Sequence, residues 1–155
     1  MVFLLHALSL LFGTLLIYRA YQIYRAGEES LTWKPTTAYI ISADLGKMRN
    51  YGFLGPLIFQ TYLPIINYNY NVGDIEYVSE SYSPEGNVKF ESYFGIPGPA
   101  RAMNFLKHYP DNAKITVYYS PEHHDKAVVR RGVRRVAFLP QMIIGAGLIL
   151  LCFVF

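Results

Sequence analysis

His123, His124 and Asp125 are the densest run of chemistry-bearing side chains in the sequence. Imidazole and carboxylate are donors that a zinc ion takes, but neighbouring side chains on an extended segment point to opposite sides, so one metal seldom takes both histidines. His108 and Glu122 would have to be brought in by the fold, and the expectation is a surface loop. Paired carboxylates suited to acid–base work come next, Glu28 with Glu29 and Glu76 with Glu80. The first pair falls in a linker and the second on a strand face left to solvent, and neither has the apolar or cationic setting that tunes a carboxyl group. No phosphate-cradling glycine loop and no Gly-x-Ser-x-Gly elbow is present. The single cysteine, Cys152, excludes an intramolecular disulfide and a cysteine-based metal site. In its apolar run it reads as a small residue facing lipid or another helix. His6 reads as a histidine at a membrane interface. The chain is therefore expected to be no enzyme, with no catalytic residue, metal or cofactor.

The elements that must position any site begin with the two ends. Residues 2–18 and 136–155 carry no charge, while the whole chain is 52% hydrophobic and only 16% charged, against roughly 25% in ordinary soluble domains. A span of about 20 apolar residues crosses a hydrocarbon core, so each end is expected to be a transmembrane helix. Tyr18, Tyr21 and Tyr24 suit the headgroup level. Pro140 lies near the start of the second helix, where it disturbs least. Ser9 and Gly13, and Gly145, Ala146 and Gly147, would let the two backbones approach in lipid. A cleaved signal peptide is disfavoured, because no basic residue precedes the first apolar run and Tyr and Arg follow it.

Arg19 and Arg25 follow the first apolar segment, and Arg130, Arg131, Arg134 and Arg135 precede the second. No Lys or Arg stands on the far side of either. Under the positive-inside rule the central segment stays in the cytoplasm, and the six arginines are the expected anchors and headgroup contacts.

Between the ends, residues 36–43 read as a strand and residues 44–60, rich in Gly, as a long loop or irregular hairpin. The apolar Phe53, Leu54, Leu57, Ile58 and Phe59 in that loop would pack on the sheet or touch the membrane surface. Residues 61–72 alternate: Tyr62, Pro64, Ile66, Tyr68, Tyr70 and Val72 share one face, and Asn67, Asn69 and Asn71 the other. Pro64 suits an edge or a bulge. Gly73-Asp74 is a hairpin turn, with residues 75–82 as the return strand. A short helix is expected over 99–109 and a last strand over 114–120. The fold class is thus α+β, a small antiparallel barrel or sandwich with one inserted helix. The domains are expected at 1–25, 26–135 and 136–155. Most of the tyrosines read as sheet packing with the hydroxyl at a wet edge. A stacking platform for nucleic acid is disfavoured because basic residues are not interleaved.

Three segments carry a resemblance: Trp33-Lys34-Pro35-Thr36, Tyr68-Asn69-Tyr70-Asn71-Val72-Gly73, and Val117-Tyr118-Tyr119-Ser120-Pro121 followed by Ala127-Val128-Val129. Together with the flanking apolar helices, they resemble the DUF3592 family, a domain of unknown function found mainly in bacterial membrane proteins. The chain departs from that pattern at Ala38, Ser120 and His123-His124. The resemblance implies a membrane-associated β domain, in a bacterial inner membrane, and supplies no catalytic residues.

The resulting expectation is a non-enzymatic integral membrane protein that presents a β-rich interaction or scaffolding domain at the cytoplasmic face. Its partners would be the bilayer and another membrane protein or a second copy, with no nucleic acid. Tyr68, Tyr70, Tyr77 and Tyr118 are the expected interaction surface. The alternatives are a small-ligand or lipid-headgroup binder and an immunity-type accessory protein, with a hydrolase last. A ligand binder requires a concave pocket with at least three convergent polar groups, drawn from the histidine segment and residues 44–60. A docking module requires an exposed aromatic patch.

Overall fold

The computed structural model describes residues 2–51, 58–92 and 98–154, with side chains for 6–46, 61–90 and 98–152. In chain order the elements are α1 (Val2–Ser30), β1 (Lys34–Tyr51), β2 (Ile58–Val72), β3 (Ile75–Ser79), β4 (Phe90–Ser92), α2 (Gly98–Leu106), β5 (Lys114–Tyr119), β6 (Ala127–Val128) and α3 (Arg135–Val154). Two compact units result: Met1–Thr32 with Gly132–Phe155, and Trp33–Arg131.

The first unit is an antiparallel helix pair. Tyr24 meets Phe138 with ring centroids 5.4 Å apart, Gly13 meets Gly145, and the Cys152 thiol donates to the His6 carbonyl at 3.4 Å. The α1 residues on this seam recur every seven positions: Gly13, Ala20 and Gly27 are buried, and His6 is half-buried. That is the spacing a helix needs to keep one side toward a partner. A Cβ on Gly13 would lie 2.8 Å from the Gly145 carbonyl oxygen, and one on Gly145 would lie 2.8 Å from that of Gly13. At the base of the pair the Ser30 hydroxyl donates to the Gly27 carbonyl at 2.6 Å and accepts the Gly132 amide at 2.8 Å. These contacts carry α1 through Ser30, past the linker expected at residues 27–30. Gln141 half-occupies the same seam. Its Nε2 donates to the Ala137 carbonyl at 3.3 Å, and its Oε1 is buried without a hydrogen-bond partner.

What faces outward is large and apolar. Leu8, Leu11, Phe12 and Leu15 on α1, and Val136, Ile143, Ile144 and Leu150 on α3, are all exposed. Over Arg135–Cys152, α3 is long and apolar enough to cross a membrane, and only 6% of that stretch is buried.

The second unit is one curled antiparallel sheet. The strand order is β3-β2-β1-β5-β6, and β4 pairs with the far end of β2. A barrel or sandwich is the expectation from sequence. Among the described residues there is no second sheet, and no ladder closes β3 onto β6. The two edges are instead tied by the Arg130 amide, which donates to the Tyr82 carbonyl at 2.8 Å. The Gly73 turn joins β2 and β3 with a φ of 62°, in the left-handed region that glycine tolerates. The segment expected as a long loop or irregular hairpin over 44–60 is, in its described residues, antiparallel paired strand, in keeping with the second of these. β1 runs to Tyr51 and β2 starts at Ile58, paired from Ser42↔Asn67 to Tyr51↔Ile58 after a bulge at Ile41. Gly46 belongs to this ladder because a Cβ there would crowd the Leu63 carbonyl oxygen at 3.3 Å and the Ile65 side chain at 3.2 Å. Phe53, Leu54, Leu57, Ile58 and Phe59 lie outside the described side chains. Pro64 sits between the stretches of β2 that pair with β4 (60–62) and β3 (68–72), where its missing amide proton is not needed.

The core is Ala38, Ile40, Ile66, Tyr68, Tyr70, Val117 and Ala127. Phe105, Leu106 and Tyr109 from α2 and the turn after it pack against this core.

Candidate functional site

The alternation in β2 puts Ile66, Tyr68 and Tyr70 on the buried face. Tyr68 is fully buried and Tyr70 only 2% exposed. The expected surface is thereby corrected: these two rings are core. The Tyr68 hydroxyl lies 2.9 Å from both the Ser81 and the Ala127 carbonyl oxygens and 3.3 Å from Ser79 Oγ, which also reaches Ala127. The Tyr70 hydroxyl donates to the His124 carbonyl at 2.7 Å. Buried phenols resist ionisation because the phenolate would lose its hydration. Burial thus raises Tyr68, and burial followed by the nearby Asp125 charge pushes Tyr70 up to about 12. Tyr77 stacks on Tyr70 at 5.7 Å and is half-buried. Tyr118 carries the Arg131 guanidinium 4.1 Å above its ring, and Arg131 Nη1 also donates to the Trp33 carbonyl at 3.5 Å. Arg131, an expected headgroup contact, thus lies on the surface of the sheet unit, exposed but in contact with Tyr118 and Trp33.

The histidine segment is a surface loop, as expected: residues 121–126 are exposed. The His124 ring stands edge-on to the half-buried Tyr119 at 5.6 Å and to Tyr77 at 6.5 Å. Among the described residues no three His, Cys, Asp or Glu side chains gather to hold a metal ion.

A groove of about 470 Å³ lies between β1, just past its bulge, and the end of α2. Asp44, Lys107 and Asp111 are its charged groups, and Leu45, Met103 and Leu106 its apolar ones. Tyr109 lines it too; burial and the Tyr82 hydroxyl 3.5 Å away raise its pKa. Asp44 comes from the segment expected to supply polar groups, but the histidines do not line the groove, and all three charged residues are exposed. Solvated charges at a rim give little binding energy.

The opposite face of the sheet remains. Val78, Asn69, Tyr39 and Lys114 are register partners across β3, β2, β1 and β5, and they point away from the core. Tyr39 is 51% exposed and Val78 64%, and Ile41 is exposed at the bulge. The Asn69 amide donates to Glu76 at 2.6 Å beside them. This patch escaped the sequence reading, although residues 36–43 do show it: Tyr39 and Ile41 make the second face apolar as well. The helix pair adds one feature of its own. Arg19, Arg25, Arg134 and Arg135 all lie toward the end marked by Tyr24 and Phe138, and Tyr18 and Tyr21 are exposed there.

Comparison with known proteins adds a family without a role. The family model described as "Domain of unknown function (DUF3592)" matches residues 36–134, more than half of the chain. No curated protein matches.

Proposed function

Since the chain belongs to the DUF3592 family, which brings no activity with it, we propose from the geometry that it is a non-enzymatic membrane protein. In this reading α1 and α3 cross the bilayer as a hairpin, and the β unit is presented at the cytoplasmic face of a bacterial inner membrane to another membrane protein. The observation that carries it is the inverted packing of the helix pair. At the seam Gly13, Gly145 and Gly27 admit the facing backbone with Ile149, Ile17 and Val133, and a glutamine side chain is half-buried beside them, while most of the large Leu, Ile, Phe and Val side chains of the pair face outward. Water would drive such side chains inward. In lipid they have no such drive, and close backbone packing through small residues holds the pair together. Four arginines at one end of the hairpin support the cytoplasmic orientation. The exposed Tyr39, Ile41 and Val78 face, and not the buried Tyr68 and Tyr70, is the docking surface in this reading.

The test is alkaline extraction of membranes followed by thiol labelling from outside intact cells. The Cys152→Ser chain would carry one new cysteine at Asn87, in the polar segment between β3 and β4. The chain is expected to stay in the membrane pellet and to label only after permeabilisation. Release into the supernatant would end the hairpin reading, and labelling of intact cells would reverse the orientation. A Tyr39→Lys, Val78→Lys chain is expected to remain embedded and lose its co-purifying membrane protein.

A further inference from the structure

The outward side of α3 carries a groove of about 380 Å³, lined by Arg135, Val136, Leu139, Pro140, Ile143 and Ile144. Five of these six side chains are hydrocarbon, and the sixth places a guanidinium at one end. From Arg135 to Ile144 the helix rises about 13 Å at ~1.5 Å per residue. One leaflet of hydrocarbon is about 15 Å deep, half of a core of ~30 Å. The groove therefore covers the depth of one leaflet, with its cation at the headgroup level. Pro140 helps to make it: the ring has no amide proton to give the Val136 carbonyl one turn earlier.

We infer that this groove is a seat for an anionic glycerophospholipid, with an acyl chain along Val136–Ile144 and the phosphate on Arg135. The inference rests on the hairpin reading above. Complementarity selects the occupant. An apolar helix from another chain would fill the groove but bring no anion to the Arg135 guanidinium, whereas a lipid seated there sets its phosphate on that cation through charge-assisted hydrogen bonds.

The test places the photo-crosslinker benzoylphenylalanine at Ile143, or at Leu15 on the exposed side of α1, in the full chain reconstituted in mixed vesicles. Radiolabelled phosphatidylglycerol or phosphatidylcholine is the probe. At Ile143 the glycerol lipid is expected to be favoured about fivefold, as one basic residue near an anionic headgroup allows. At Leu15 the two lipids should label equally. Arg135→Gln should remove the preference at Ile143, while Arg135→Lys and Arg19→Gln should keep it. Equal labelling at Ile143, or an equal loss with Arg19→Gln, would overturn the groove while leaving the hairpin in place. If the chain leaves the vesicles and labels with neither lipid at either position, the hairpin falls first and the groove with it.

Discussion

At the scale of single residues, the tyrosines explain the most. Alternation in β2 was readable and correctly grouped Tyr68 and Tyr70 on one face. It did not show which side of the sheet the core would take, since a phenol suits both a wet edge and a satisfied interior. What decides it for Tyr68 is the pair of carbonyls at Ser81 and Ala127, which only the folded chain brings to one place. Tyr68→Phe leaves the ring but takes the phenolic donor from the Ser81 carbonyl and leaves the Ala127 carbonyl only the Ser79 hydroxyl, at 3.3 Å. It is expected to lower unfolding stability by about 1–3 kcal/mol, read from denaturant melts of the wild type and the variant. The same burial makes the fold sensitive to alkali. Tyr70 has its folded pKa raised to about 12, above the value of 10.0 for a free phenol. Its contribution is complete below pH 10 and is lost as pH climbs through 12, because only the unfolded chain ionises readily in that window. Absorbance near 295 nm should show exposed tyrosines titrating first, with the buried pair ionising only as the far-ultraviolet circular dichroism collapses. A single early transition for all tyrosines would contradict this.

Among elements, the strands with clean alternation and the hairpin glycine were legible, as was the short helix. The ribbon of β1 and β2 was half legible: an irregular hairpin was one of two readings of residues 44–60, because Gly46 and its neighbours also read as punctuation. Its glycine answers to space and not to a turn: the Leu63 carbonyl and the Ile65 side chain leave no room for a Cβ. The helix seam was half legible. Ser9 and Gly13 suggested close packing, but the working repeat is Gly13, Ala20 and Gly27, at sevens. Gly13→Val would drive a branched side chain into the Gly145 backbone and is expected to part the helices. A His6→Cys chain should form a disulfide with Cys152 on mild oxidation, since the Cys152 sulfur lies 3.4 Å from the His6 carbonyl. Adding Gly13→Val should cut that crosslink severalfold without unfolding the sheet; an undiminished crosslink would count against the seam.

For the whole molecule, composition pointed to lipid, because apolar residues gather at both ends while the middle alternates; of the two ends, α3 is the one long and apolar enough to cross a membrane among the described residues. The exact division was not legible. The sheet unit spans Trp33–Arg131, and the helix unit takes Gly132 and the arginines beyond it, because the Ser30 hydroxyl holds the Gly132 amide. That boundary is testable. Residues 33–131 alone have their own core and are expected to fold without detergent and melt cooperatively. The full chain should sediment unless detergent is present. The exposed Tyr39, Ile41 and Val78 face was hidden for a simpler reason: burial of one side of a strand says nothing about what waits on the other.

Pro64 bears on a hazard that the proposed membrane setting would create. Chains confined to a surface meet far more often than chains in bulk, and exposed strand edges are where one sheet recruits the next. Here the long β2 edge is interrupted at Pro64, β3 is five residues long and β6 only two. Among the described residues a neighbour drifting in the same plane finds no extended row of amides to copy, so crowding in two dimensions need not end in fibrils.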